Sequence, residues 1–326
     1  MAMMSGRAMI RALYAGCGER ATAAQGRKGR RATTTFDHLS AGGRADGRLH
    51  DRLNPFPGQA ERSRSLISRF QDHRLPSRTL PERLQATIQE TPMSDLSAFP
   101  IARRWPAQHP DRIQLYSLNT PNGVKVSIML EEAGLPYEPH VIDITKDETF
   151  TPEFLSLNPN GKIPAIIDPD GPDGKPFGMF ESGAILVYLA DKTGQFLPAT
   201  TAGRYETLQW VFFQMAAIGP MFGQVGFFNK FAGKDYEDKR PLQRYVTESK
   251  RLLGVIDTRL DGRQWIMGDD YTIADISMLA WVRNMIGFYE ARELVDFDSL
   301  KHVPGWLESG LARPAVQRGL AIPALG

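Results

Sequence analysis

Apolar residues fall at Val126, Met129, Leu130 and Ala133, the i, i+3, i+4, i+7 spacing of one helix face. That stripe predicts a helix over about 122–134, opening near Asn122. Upstream, residues 113–117 read as a short strand, and Thr120-Pro121 breaks the chain between the two. A second strand is expected over about 138–142. Thr151-Pro152-Glu153 opens a short helical segment, where proline suits the first turn. Ile163-Pro164-Ala165-Ile166-Ile167 reads as a third strand entered through a proline. The run 170–175, rich in Asp, Gly and Pro, is a turn, and 177–180 is the fourth strand. A helix over about 181–192, with Ser182, Ile185, Leu186 and Leu189 on one face, closes the unit. The order βαβ then ββα predicts one compact α/β domain over 113–198.

Residues 194–198 read as a linker, and from about residue 203 no strand signal persists. Leu208, Val211, Phe212 and Met215 mark one helix face; Tyr245, Leu252, Leu253, Ile256 and Leu260 mark another. Thr272-Ile273-Ala274-Asp275 opens a third helix with a start like a capping box, Asp replacing the usual Glu or Gln. This pair reads as structural. Late helices are expected over 303–311 and 314–320. Residues 203–326 are therefore expected to form an all-α domain. Trp210, Phe212, Phe213, Phe222, Phe227 and Phe228 are expected mostly in its core or in a cleft wall. Residues 93–112 read as an extended arm, with Trp105-Pro106 available to pack on the body.

Residues 1–92 show neither period and read as a disordered or weakly helical extension. They hold 15 Arg and one Lys against eight acids, a net +8; residues 93–326 are net −6, so the formal +2 hides a split. The acidic body argues against nucleic acid as a partner. The head admits three readings. Six Arg and one Lys against Glu19 in the first 36 residues resemble an organellar transit peptide. A basic nucleic-acid arm would need aromatic interleaving that is scarce here. A misassigned start upstream of Met93, where the composition becomes that of a folded protein, is favoured. The expected location is cytoplasmic, organellar only if the head is a transit peptide. No run of about 18 apolar residues occurs, so no membrane span is expected.

Cys17 is the single cysteine, so the body carries no thiol and any sulfur chemistry must use one brought by a substrate. Few histidines and no paired cysteines make a metal site an unlikely expectation. The turn before the first helix sets a hydroxyl, Thr120, and a carboxamide, Asn122, at a helix N-terminus. Such a terminus has unpaired N–H groups and the positive end of the helix dipole. It can hold an anion, a thiolate included. A free thiol has a pKa of about 8.5. Each hydrogen bond to a charged acceptor contributes roughly 1.5–3 kcal/mol, so two donors could lower a bound thiol by a unit or two. The competing reading is that Asn122 caps the helix and Thr120 supports the turn.

The strand–TPN–helix start, NPNGKIPAIID at 158–168 and FESGAILVYLA at 180–190 together resemble the glutathione S-transferase superfamily. TLQWVFFQMAAIGPMFGQ at 207–224 and YTIADISMLAWV at 271–282 narrow the resemblance to the bacterial nu class, relatives of the fungal prion-forming nitrogen regulators. It covers about residues 113–320. It implies a thioredoxin-like domain followed by a helical domain, glutathione bound between them, and a homodimer. It also implies reduction of small disulfides by two bound glutathiones, with no metal and no catalytic protein cysteine. Conjugation to an electrophilic carbon is the alternative within that class, and a non-catalytic regulatory protein the alternative outside it.

The resemblance assigns residues as follows. Thr120 and Asn122 match the positions that hold the thiolate. Ile163-Pro164 matches a cis-proline site whose exposed backbone pairs with the cysteinyl part of glutathione, against an ordinary trans proline. Lys162 would attract the glycyl carboxylate, or stand as a solvated lysine. Glu181 and Ser182 would receive the ammonium and carboxylate of the γ-glutamyl end, or simply cap a helix. Arg244, in QRYVTESKRL, would reach glutathione from the helical domain, or lie on a surface. Thr149 stands where nu-class members often carry Gln. The Gly171–Gly178 run lacks the Lys-Ser/Thr of a phosphate loop.

Overall fold

The computed structural model describes residues 96–323. The reading of residues 1–92 as a basic extension lies outside them.

Four strands form one mixed sheet in the order β2-β1-β3-β4: β1 Ile113–Ser117, β2 Tyr137–Val141, β3 Ala165–Asp168 and β4 Phe177–Phe180. β1 pairs in parallel with β2, and β3 is antiparallel to both β1 and β4. All five β1 residues are buried, which places this strand between two covered faces. One face is covered by α2 Gly123–Ala133 and α4 Ser182–Thr193; Leu115, Val126, Leu130, Ile166, Ile185 and Leu189 form this core. Thr200 caps the next helix, and the helical domain follows.

The other face corrects the sequence reading. Residues 93–112 are not an extended arm: Leu96–Ala98 makes a 3-10 turn and α1, Ile101–Arg104, a short helix. Leu96 and Ile101 pack with Tyr116, Ile167 and Phe154 of α3, Pro152–Leu157. These apolar residues are too few to show a period, but they cover the sheet. The third strand also begins later than expected, at Ala165, because Pro164 has no N–H to give the ladder.

The helical domain comprises α5 Thr201–Phe213, a π-helical turn Gln214–Ile218, α6 Gly219–Asn229, α7 Arg240–Arg259, α8 Ile273–Ile286, α9 Val303–Leu311 and α10 Pro314–Gly319. Ile218, Phe222, Leu252, Ile256, Met278 and Trp306 are in its core. The start of α8 is a true capping box. Asp275 Oδ2 accepts from Thr272 N at 3.0 Å, and its Oδ1 accepts from Ile266 N and Trp306 Nε1, both at 2.9 Å. Burial pushes this carboxyl above its ordinary range, against those donors.

Two expectations fail along α5. Phe212 is not core or cleft wall but 67% exposed; the helical face runs through Val211 and Gln214 instead. The continuous helical run Thr201–Asn229 is long and apolar enough, by length and composition, to cross a membrane. Here its inner side is a core helix, burying Val211, Ile218, Phe222 and Val225.

Candidate functional site

The connection between β1 and α2 is built by Thr120. Its carbonyl accepts from Val124 N at 3.0 Å and its Oγ1 from Gly123 N at 3.2 Å. The first helical N–H groups are therefore taken by Thr120. This corrects the expectation that unpaired backbone N–H groups would hold an anion there. Asn122 makes no side-chain cap, so the reading in which it caps the helix fails. Gly123 is required where it stands: a Cβ would lie 1.9 Å from Leu118 O.

These bonds leave two donors. Thr120 Oγ1 is an acceptor to Gly123, so its own proton is available for another partner. Asn122 Oδ1 accepts from Trp281 Nε1 of α8 at 3.0 Å. With the oxygen engaged, the carboxamide turns its NH₂ away from the indole. Both side chains line a cavity of ≈ 170 Å³.

Ile144, Thr149, Gly161, Lys162, Ile163, Trp281 and Tyr289 complete its lining. Asn158 shapes the near wall, its Nδ2 donating to Lys162 O at 2.5 Å and its Oδ1 accepting from Asn160 N at 2.9 Å. Gly161 turns at φ 63°, where a Cβ would meet the Phe150 ring at 3.0 Å. The Ile163-Pro164 bond is cis. Thr149 is buried, and Lys162 is exposed at the rim. Among the described residues no group of three or more His, Cys, Asp or Glu is arranged to hold a metal.

Glu181 and Ser182 open α4. Glu181 is exposed and sits at φ 72°, ψ 108°, a left-handed conformation that costs a non-glycine residue about 1–3 kcal/mol. Strain of this kind collects where a site needs a particular backbone direction. Ser182 is buried, and its Oγ accepts from Lys125 Nζ at 3.2 Å. Arg244 is exposed on α7 and is not part of the cavity lining around Thr120.

Three contributors escape a sequence reading: Trp281, Lys125 and Gln214. Each had a signal. Trp281 is a bulky residue whose N–H needs a partner once buried. Lys125 lies four residues before Met129 and so falls on the apolar side of its helix. Gln214 follows Val211 by three on the buried side of α5.

The chain's relatives agree with this architecture. The family described as Glutathione S-transferase, N-terminal domain matches residues 120–192, and Glutathione S-transferase, C-terminal domain matches 214–314. The chain is 42% identical over 215 residues to the disulfide-bond oxidoreductase YfcG of Escherichia coli (strain K12), covering 66% of this chain and 97% of that one. A crystal structure of a glutathione transferase from Burkholderia graminis, with two glutathione molecules bound per subunit, is 68% identical at a TM-score of 0.71. It aligns with 72% of this chain and 98% of its own. One from Pseudomonas putida, with one glutathione disulfide bound per subunit, is 64% identical at a TM-score of 0.69, over 70% and 99% of the two chains. With its mixed four-stranded sheet, its helical second domain and these matches across both, the chain belongs to the glutathione S-transferase family.

Proposed function

We propose that this protein is a glutathione-dependent disulfide-bond oxidoreductase whose nucleophile is the thiolate of a bound glutathione. The observation that carries this reading is the orientation of two donors, Thr120 Oγ1–H and the Asn122 NH₂, whose acceptor atoms are both engaged elsewhere. A donor pair of this kind favours the charged form of a sulfur, and no general base is needed. The relative named disulfide-bond oxidoreductase supports the reaction type.

The thiolate attacks one sulfur of a disulfide RS–SR′. A glutathione–SR mixed disulfide forms and R′S⁻ leaves, to be protonated by water. A second glutathione thiolate attacks the glutathione sulfur of the mixed disulfide. Glutathione disulfide forms and RS⁻ leaves. Two thiols are oxidised and one disulfide is reduced, so electrons balance without a metal. Ile163, Lys162 and Thr149 fit the cysteinyl and glycyl parts of the ligand, and Ser182 and Glu181 the γ-glutamyl end. Arg244, exposed on α7, is assigned to the incoming second ligand or to none. Conjugation at an electrophilic carbon would use the same thiolate and remains the second activity to assay.

A homodimer is the proposed assembly. Tyr205 and Phe212 are each 67% exposed on α5, and such rings on an apolar helix suit a partner surface. A reducing cytoplasm is the proposed location, since the reaction consumes reduced glutathione.

The test is turnover of a small disulfide by the wild type, Thr120→Ala and Asn122→Ala, beside an aryl-halide conjugation assay. At least one variant should lose roughly ten-fold or more in kcat/KM, as expected for losing a hydrogen bond to a charge. Unchanged rates in both would reject the assignment.

A further inference from the structure

Thiol chemistry makes no use of Lys125, yet this lysine has no exposed surface. Its Nζ donates to Gln214 Oε1 at 2.5 Å, Ser182 Oγ at 3.2 Å and Met215 Sδ at 3.5 Å. All three acceptors are neutral. A buried ammonium with only neutral partners is expensive to keep. The elements packed on α2 offer little compensating charge. From α4 comes the Ser182 hydroxyl, with the Glu181 carboxylate reaching Lys125 only through its field. The π turn gives a carboxamide and a thioether, and α8 gives Trp281, which is engaged with Asn122. The acids of α2, Glu131 and Glu132, are paired with Arg318 and Arg313 at the α10 end of the helix. Burial, opposed by Glu181, pushes the Lys125 ammonium down to about 7.

Ser182 is the link to the ligand. Lys125 fills a lone pair of its oxygen, so the hydroxyl proton is left to donate. A carboxylate oxygen accepting that proton at about 2.7 Å would lie within about 6 Å of the ammonium. At that range, in an enclosed site, an opposite charge favours the protonated amine.

We propose that Lys125 is a positioning residue: it orients Ser182 and supplies the buried positive charge for the carboxylate held there, so that binding an α-amino-acid carboxylate draws a proton onto the protein. This rests on the reading that the start of α4 holds the γ-glutamyl end of glutathione. The sign is fixed by which state is charged. The bound carboxylate raises the Lys125 value above that of the free protein. Affinity is then fullest below about pH 7 and is lost as pH rises through the bound value, with proton uptake between the two.

S-methylglutathione is the probe, because it keeps the γ-glutamyl end and has no thiol to ionise. Its binding heat is measured by titration calorimetry at about pH 7.5 in phosphate and in Tris, whose ionisation heats differ. The wild type should take up a substantial fraction of a proton. Lys125→Met should take up none and bind about ten-fold more weakly at pH 6.5, a change of about 1.4 kcal/mol. Gln214→Glu pairs the lysine with a fixed carboxylate, keeps it charged in both states and should also abolish uptake; it serves if Lys125→Met fails to fold. Uptake equal to wild type in either variant would overturn the role of Lys125 alone. Failure of the wild type to bind S-methylglutathione would overturn the glutathione reading, and this proposal with it.

Discussion

Replacing Trp281 by Phe removes the N–H that holds Asn122 Oδ1 at 3.0 Å and little else of chemical consequence. A neutral hydrogen bond contributes about 0.5–1.5 kcal/mol net. If that bond sets the carboxamide's direction, its loss lowers kcat/KM for glutathione roughly two- to ten-fold. Asn122→Ala removes a donor to a charged sulfur, worth about 1.5–3 kcal/mol, and should cost more. The two changes act through one atom group, so they should not add. In the Asn122→Ala background, Trp281→Phe should cost little, giving a coupling near 1 kcal/mol. Trp281 is 7% exposed and its ring lies beside Gly219 and Gly223, so the smaller ring also leaves a void. A stability loss of about 1–3 kcal/mol is expected from that, so rates must be read where circular dichroism shows each variant folded. Independent, additive losses in the double variant would refute the reasoning, as would a fully active Trp281→Phe.

Other outcomes follow from single contacts. Gly123→Ala should destabilise the protein by about 2 kcal/mol or more, read by denaturant unfolding, because the added carbon meets Leu118 O at 1.9 Å. Asp257 accepts from the N–H groups of Lys301, His302 and Val303; burial raises its carboxyl, but these backbone donors outweigh it and hold the value below the ordinary one. A depressed folded value gives stability that is present above the unfolded pKa of about 3.9 and lost as pH falls through the folded one. Asp257→Asn should therefore cost about 1–2 kcal/mol near pH 7 and progressively less in acid, measured as Tm against pH. Tyr205→Lys with Phe212→Lys should halve the mass seen by light scattering if these rings face a second copy; an unchanged mass would exclude that surface.

The sheet was legible because each strand carries its own local mark: an apolar run, a proline entry, a turn rich in Asp and Gly. The helix α2 was legible from its stripe, and the α8 start from Thr272 and Asp275, since a capping box is a local device. What escaped was long in range. Trp281 lies 159 positions from Asn122, and Gln214 lies 89 from Lys125. No periodicity reports such a pair. Phe212 was misplaced for a related reason: residues 211 and 212 are adjacent, and a helix cannot turn both toward the same core. The short helix α1 is four residues long, too brief to show a period, and is held by packing on the sheet.

The most direct measurement is a crystal structure of the protein with reduced glutathione bound. The sulfur should lie within about 3.5 Å of both Thr120 Oγ1 and Asn122 Nδ2, as hydrogen bonds to a thiolate require. A fully occupied ligand whose sulfur points away from both groups would contradict the account.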